Sequence, residues 1–283
     1  MGFIGELAKL TRFEHAVMLA LAVLIGETIV LQEVPLYLGL TLLISLMVPV
    51  FSEMGSFALN DYLDIETDRL NKKKDRPLVK GTISPAFALN FSIACLIVSV
   101  LLAYFINTAS FAIAILFNAA AVAYNWKLKD LPLVGNIYIA LTMAIPFIFG
   151  NFVVSDTLSP LALALAALGF VAGLAREIVK SVQDVEGDVK ARGSKTLPVI
   201  IGKKHSVWIA VLLYLMFIPL SFFPFLLGLP LSALALVMIA AGDILILWIC
   251  YALLTRNDYR LARNLSLLSF MAGLLGLMVA AAL

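Results

Sequence analysis

Two short acidic stretches hold the side chains best suited to chemistry: NDYLDIETD, residues 60–68, and QDVEGD, residues 183–188. If the helix carrying the first continues past Leu59, Asp61, Asp64 and Asp68 are related by i, i+3 and i+7 and leave one helical face, with Asn60 beside them. Along the helix that leads into the second, Arg176, Lys180, Asp184 and Asp188 run at four-residue intervals, with Glu177 nearly on the stripe of the two aspartates. Carboxylates gathered in this way repel. At roughly 4 Å and an effective dielectric near 20, each pair costs about 4 kcal/mol, enough to force protonation unless a cation intervenes. Oxygen donors with an asparagine, and no His or Cys nearby, favour a hard ion, and Mg2+ typically takes one or two carboxylates and fills its shell with water and substrate phosphates. Lys72, Lys73, Lys74, Arg76 and Lys80 around the first stretch, Lys180 just before the second, and Arg192 and Lys195 after it could supply phosphate contacts. The expected chemistry is Mg2+-dependent handling of a phosphate compound.

The elements that position these residues must be membrane helices. The chain has 283 residues, 63% of them hydrophobic and 13% charged, and a mean hydropathy of +1.04, far from the balance of a soluble domain. Apolar runs long enough to cross a bilayer lie at about 16–31, 36–59, 83–106, 109–126, 131–154, 158–182, 206–229, 231–254 and 265–282. Strand alternation is absent, so an all-α bundle of nine transmembrane helices is expected, with the two acidic stretches as loops between spans. One membrane-embedded domain over 1–283 is the expected organisation. The first apolar run lacks a small-residue cleavage site and reads as a span, not a removable signal.

Charge sets the expected orientation. All 20 Lys and Arg fall at the N-terminus or at the connections after even-numbered spans, and the opposite loops carry none. By the positive-inside rule the N-terminus and both acidic stretches are cytoplasmic and the C-terminus is outside, in a multi-pass protein of the cell membrane. A basic juxtamembrane loop also attracts anionic headgroups, so contact with membrane lipid alone could explain the triple lysine. It does not explain the aspartates. The two acidic stretches lie four helices apart in the same orientation, which suggests two halves with converging sites. A net charge of +2 gives no reason to expect nucleic acid, and Cys95 and Cys250 lie in apolar spans without metal-ligand spacing.

At this point the residues resemble a known family. NDYLDIETD is similar to the NDxxDxxxD signature, and DVEGD to the DxxxD signature, of the UbiA-type intramembrane prenyltransferases, and nine spans over a similar length extend the resemblance to the whole chain. The resemblance implies an isoprenyl diphosphate bound through Mg2+. It nominates Asn60, Asp61, Asp64 and Asp68 in the first site and Asp184 and Asp188 in the second as metal ligands, with Asp64, Asp68, Asp184 and Asp188 as the catalytic carboxylates. YNWKLK, residues 124–129, resembles the family's Tyr and Lys element and nominates Tyr124, Lys129 and Lys127. The continuations NDYLDIETDRLNKKKDRPLVKGTISP and REIVKSVQDVEGDVKARGSKTLPVIIG resemble the archaeal ether-lipid branch. That branch implies transfer of a geranylgeranyl group from geranylgeranyl diphosphate to the free hydroxyl of geranylgeranylglyceryl phosphate. Arg12, Lys127 and Lys129 would then hold the acceptor's phosphate. The segment Arg12–His15, RFEH, departs from the family's usual Arg-Pro start and resembles the 4-hydroxybenzoate polyprenyltransferases, so an aromatic acceptor is the alternative.

Other classes fit less well. A divalent-cation transporter would carry its acids at midplane on broken helices, and a lipid-binding scaffold would tolerate loss of the aspartates. Glu27, Glu53 and Asp243 are acids inside spans. Glu53 lies two turns before Asn60 on nearly the same face, where it could support the site or bond a neighbouring helix; structural roles are expected for the other two. His15 could touch the acceptor. Pro49, Pro146 and Pro219 fall within spans, where kinks would open space for a tail. Phe117, Tyr124 and Trp126 could face a carbocation, although ordinary packing explains rings in a bundle equally well.

Overall fold

A computed structural model describes residues 2–70, 73–131, 133–192 and 196–282, with side chains at 130, 187, 188 and 190–192 outside the description. All regular structure among the described residues is helical. The elements are α1 (Phe3–Thr11), α2 (Phe13–Leu31), α3 (Leu40–Leu63), α4 (Ile65–Leu70), α5 (Pro77–Lys80), α6 (Pro85–Tyr104), α7 (Thr108–Trp126), α8 (Val134–Val154), α9 (Pro160–Arg192), α10 (Leu197–Ile201), α11 (Lys203–Ser221), α12 (Phe223–Leu226), α13 (Ala233–Thr255) and α14 (Tyr259–Ala282), with 3-10 turns at Leu36–Leu38 and Leu128–Asp130. Among the described residues nine segments are long and apolar enough to cross a membrane. The chain is a multi-pass, all-helical membrane protein.

Two expectations about where helices end need correction. Neither acidic stretch is simply a loop. Asp61 lies inside α3, Asp64 caps its C-terminus, and Asp68 lies on α4; Asp184 and Asp188 lie on α9. Counting apolar residues ends a span where charge begins, yet helical hydrogen bonding continues past the hydrocarbon. At 1.5 Å per residue the 33 residues of α9 extend about 50 Å, well beyond a core of about 30 Å, so one end must project from it. Pro49, Pro146 and Pro219 each lie within a helix.

By contacts the chain separates into two units, one of residues 1–24 and 36–129, the other of 25–35 and 130–283. In the first, α3 packs against α6 and α7, while α1 lies on α3 and α5. Helix starts are chemically marked: Ser84 accepts a hydrogen bond from Phe87 N–H before Pro85, and Asn107 accepts one from Ser110 N–H. A buried cluster of Leu10, Ala58, Leu78, Ile83 and Ala88, with Tyr62 and Ile65 packed on it, holds α1, α4 and α5 around the end of α3. The conformation of the acidic segment therefore depends on burial of apolar side chains from five helices.

In the second unit α9 packs against α8, α11 and α14, and α13 pairs with α14. Polar side chains tie these helices where apolar contact alone gives little preference for one partner. Asn136 donates to Ser181 at 2.9 Å, Ser221 donates to Asp243 at 3.1 Å, and Ser269 donates to the Gly242 carbonyl at 2.9 Å. Asp243 thus has a helix-bridging partner.

Candidate active site

The end of α3 builds the richest constellation. Asp61, Asp64 and Asp68 are all buried, because the α3 end, the break at Asp64 (φ −95°, ψ 4°) and the first turns of α4 turn them inward. Each is met by a cation. Lys129 Nζ lies 2.6 Å from Asp64 Oδ1, Lys73 Nζ lies 2.8 Å from Asp68 Oδ1, and Arg76 Nε lies 3.9 Å from Asp68 Oδ2. Asp61 Oδ1 accepts from both Arg76 and Arg12, the latter at 3.4 Å. Paired in this way each buried carboxylate has a cation of the chain within reach of one of its oxygens. The expected repulsion is relieved by the chain's own cations; among the described residues no three acidic, His or Cys side chains form a metal-holding group.

The cations come from three places. Lys73 precedes and Arg76 follows the short turn before α5, Lys129 sits in the 3-10 turn after α7, and Arg12 joins α1 to α2. Arg12 adopts a left-handed backbone (φ 44°, ψ 56°), and its guanidinium lies 4.1 Å from the centre of the Phe57 ring, against which His15 also leans. Burial lowers the Arg12 pKa from its ordinary value, and Arg76 adds to this, while Asp61 opposes it. A guanidinium nevertheless keeps its charge. Asn60 donates its amide to Asn125 Oδ1 at 3.0 Å. Asn125 is buried and was not among the residues singled out by motif.

The remaining nominations separate. Lys80 bonds Glu6 at 3.1 Å, not an aspartate of the motif. Lys127 is exposed and Tyr124 half-buried at the end of α7. In the second unit Asp184 is half-buried on α9, and Lys180 pairs with Glu177 at 3.0 Å, an i,i+3 contact along the helix. Lys72 and Lys195 lie outside the described residues, as do the side chains of Asp188 and Arg192. Lys73 and Glu6 gain roles that motif reading did not weight: Lys73 resembles its neighbouring lysines in sequence, and Glu6 precedes the first apolar run.

The first motif fits a hard cation by donor chemistry. Its donors are all oxygens, and Asp61 Oδ2 is buried with no hydrogen-bond partner, an arrangement that costs free energy unless a ligand completes it. Surrounding lysines and arginines are of the type that binds phosphate.

Comparison with known proteins agrees with the helical architecture. Residues 16–278 match the UbiA prenyltransferase family. The chain is 35% identical over 281 residues to the digeranylgeranylglyceryl phosphate synthase of Archaeoglobus fulgidus, covering 97% of this chain and 94% of that protein. A solved structure described for digeranylgeranylglyceryl phosphate synthase in membranes is similar at TM-score 0.79 and 29% identity, over 98% of each chain. A UbiA homolog from Archaeoglobus fulgidus bound to GPP and Mg2+ is similar at TM-score 0.70 and 22% identity, over 96% of this chain and 99% of that one, a likeness of fold.

Proposed function

The chain belongs to the UbiA prenyltransferase family and is an intramembrane prenyltransferase; from that premise we propose that it transfers a geranylgeranyl group from geranylgeranyl diphosphate to the free hydroxyl of geranylgeranylglyceryl phosphate. The name of the relative aligned over nearly the whole chain supports this acceptor. The single observation that carries the site is the set of three buried aspartates faced by Lys73, Arg76, Lys129 and Arg12. The family match takes in both units and supports a single prenyltransferase domain.

In this reading Asn60, Asp61, Asp64 and Asp68 hold Mg2+ at the first motif, and Asp184 and Asp188 hold it at the second. When bound, Mg2+ neutralises negative charge growing on the departing diphosphate oxygens. Lys73, Arg76 and Lys129, which meet these carboxylates, would also face the diphosphate and stabilise the same charge. Lys72, Lys180, Arg192 and Lys195 provide further positive charge. Arg12 and Lys127 hold the acceptor's phosphate, and Tyr124 borders the reacting carbon. The allylic C–O bond to diphosphate breaks, the acceptor oxygen forms the new ether bond, and its proton leaves to the released diphosphate or a carboxylate. Apolar helices accommodate the tail and keep water from the allylic cation. The basic connections support a site on the cytoplasmic side.

The test uses purified, detergent-solubilised protein with labelled geranylgeranyl diphosphate and Mg2+, offering geranylgeranylglyceryl phosphate and 4-hydroxybenzoate in competition. A chelator-sensitive diether lipid is the expected product. Prenylated 4-hydroxybenzoate would make residues 12–15 the better guide to the acceptor, and absence of both products would overturn this pair.

A further inference from the structure

We infer that Asn125 is a positioning residue that fixes which end of the Asn60 carboxamide faces the metal. The inference rests on the proposed role of Asn60 as a ligand. Its geometry begins at an atom with no choice of role. The Ser56 carbonyl oxygen can only accept, and it receives Asn125 Nδ2 at 3.2 Å; the same nitrogen lies 3.2 Å from Ser56 Oγ. With its amino end committed to Ser56, Asn125 can offer only Oδ1 to Asn60. Asn60 must answer with Nδ2, at 3.0 Å, so its Oδ1 is directed away from Asn125. An amide carbonyl oxygen ligates a hard cation, whereas an amide N–H2 cannot.

The orientation is well supported. Asn125 is 2% exposed, so water competes poorly for its bonds. One turn or two earlier along the same helix pair, Asn118 accepts from Ser52 Oγ at 2.5 Å and donates to the Leu96 carbonyl and Ser99 Oγ. Ser52, Ser56 and Asn60 are spaced by four along α3, and Asn118 and Asn125 by seven along α7, so one polar seam sets the register of the two helices. Asn118 satisfies the seam far from the acidic cluster. Asn125 alone among its members bonds a residue of the proposed metal site. Groups that orient ligands in this way commonly change metal affinity by 10- to 100-fold when removed.

Mn2+ binding to the full-length protein in detergent, read by electron paramagnetic resonance of the free ion with inorganic diphosphate present, tests this without turnover. The variants are Asn60→Ala, Asn125→Ala and the double substitution, with unfolding temperature measured for each. Asn125→Ala should weaken Mn2+ binding by roughly tenfold, and in the Asn60→Ala background it should weaken binding no further. Asn125→Ser, which keeps a smaller hydrogen-bonding group, serves where the alanine variant does not fold. Equal losses from Asn125 substitution with and without Asn60 would overturn the inference and leave a purely structural seam. Wild-type affinity in Asn125→Ala would overturn it as well. Unchanged affinity in Asn60→Ala would instead sink the ligand role of Asn60 on which it stands.

Discussion

Lys129 Nζ stands 2.6 Å from Asp64 Oδ1, with each side chain only 10% exposed, so the turn after α7 is tied to the residue that ends α3. Removing one partner of such a buried pair strands the other's charge, which typically costs about 3–5 kcal/mol. Lys129→Met should therefore lower the unfolding temperature in detergent and, by loss of a charge proposed to face the diphosphate, reduce turnover by about 100-fold or more. Adding Asp64→Asn should recover much of the stability but none of the turnover. A Lys129→Met protein with normal melting and normal rate would remove this pair from both fold and site.

Arg12 combines a costly backbone with a crowded side chain. Its left-handed conformation is one that glycine adopts freely and other residues reach at roughly 1–2 kcal/mol. The guanidinium makes contacts with Asp61 and Phe57 that no glycine could replace. Arg12→Gly should thus be more stable than Arg12→Ala by about 1 kcal/mol, while both raise the acceptor KM by about tenfold or more through loss of one charge-assisted contact. Steady-state kinetics with each substrate varied in turn decides the assignment. A rise confined to the diphosphate KM would move Arg12 to the donor.

Hydropathy alone marks the nine helices that, among the described residues, are long and apolar enough to cross a membrane, because each must present a long apolar stretch to lipid. The first motif was legible as well: Asp61, Asp64 and Asp68 share a periodicity that still places them inward despite the break at Asp64. What could not be read was the identity of their partners. Arg12 is 49 residues from Asp61, and Lys129 is 65 from Asp64, and nothing local to a lysine says which carboxylate it will meet. The same limit hid Asn125, whose role depends on a carbonyl of another helix. Helix α1 was missed for a different reason, since nine residues with a lysine and a glutamate carry too little apolar length to register as a span.

Glu6 links that short helix to the segment after the first motif. Its carboxylate accepts from Thr82 Oγ1 at 2.9 Å and Lys80 Nζ at 3.1 Å, and the Thr82 bond, followed by the Lys80 bond, lowers its pKa from 4.5. A depressed carboxylate pKa stabilises the fold above its unfolded value, and the benefit disappears as protonation proceeds in the folded state. The stability gap between wild type and Glu6→Gln should be constant near neutrality, begin to narrow as pH falls through the ordinary value of 4.5, and close once the carboxylate is protonated in the folded state as well. Unfolding temperatures measured across that range in low salt check it. A gap that widens on acidification would reverse the sign and exclude this linkage.

Each unit contains a glycine whose carbonyl accepts from a serine of the adjoining helix. Ser92 Oγ bonds the Gly55 carbonyl at 2.7 Å, and Ser269 Oγ bonds the Gly242 carbonyl at 2.9 Å. A Cβ on Gly55 would stand 3.0 Å from the Ser92 carbonyl oxygen, and one on Gly242 would stand 2.8 Å from the Ser269 carbonyl oxygen. These are backbone atoms and cannot rotate away. Alanine gains up to about 1 kcal/mol of helix propensity over glycine, but overpacking costs typically about 1–3 kcal/mol, so both Gly55→Ala and Gly242→Ala should be net destabilising. Gly273 supplies the contrast, since a Cβ there meets nothing within 4 Å, and Gly273→Ala should be neutral or stabilising. Only Gly55→Ala should also depress turnover in protein that remains folded, because α3 carries the first motif five residues beyond it. If Gly242→Ala melts no lower than Gly273→Ala, close backbone approach is not what sets the α13–α14 packing.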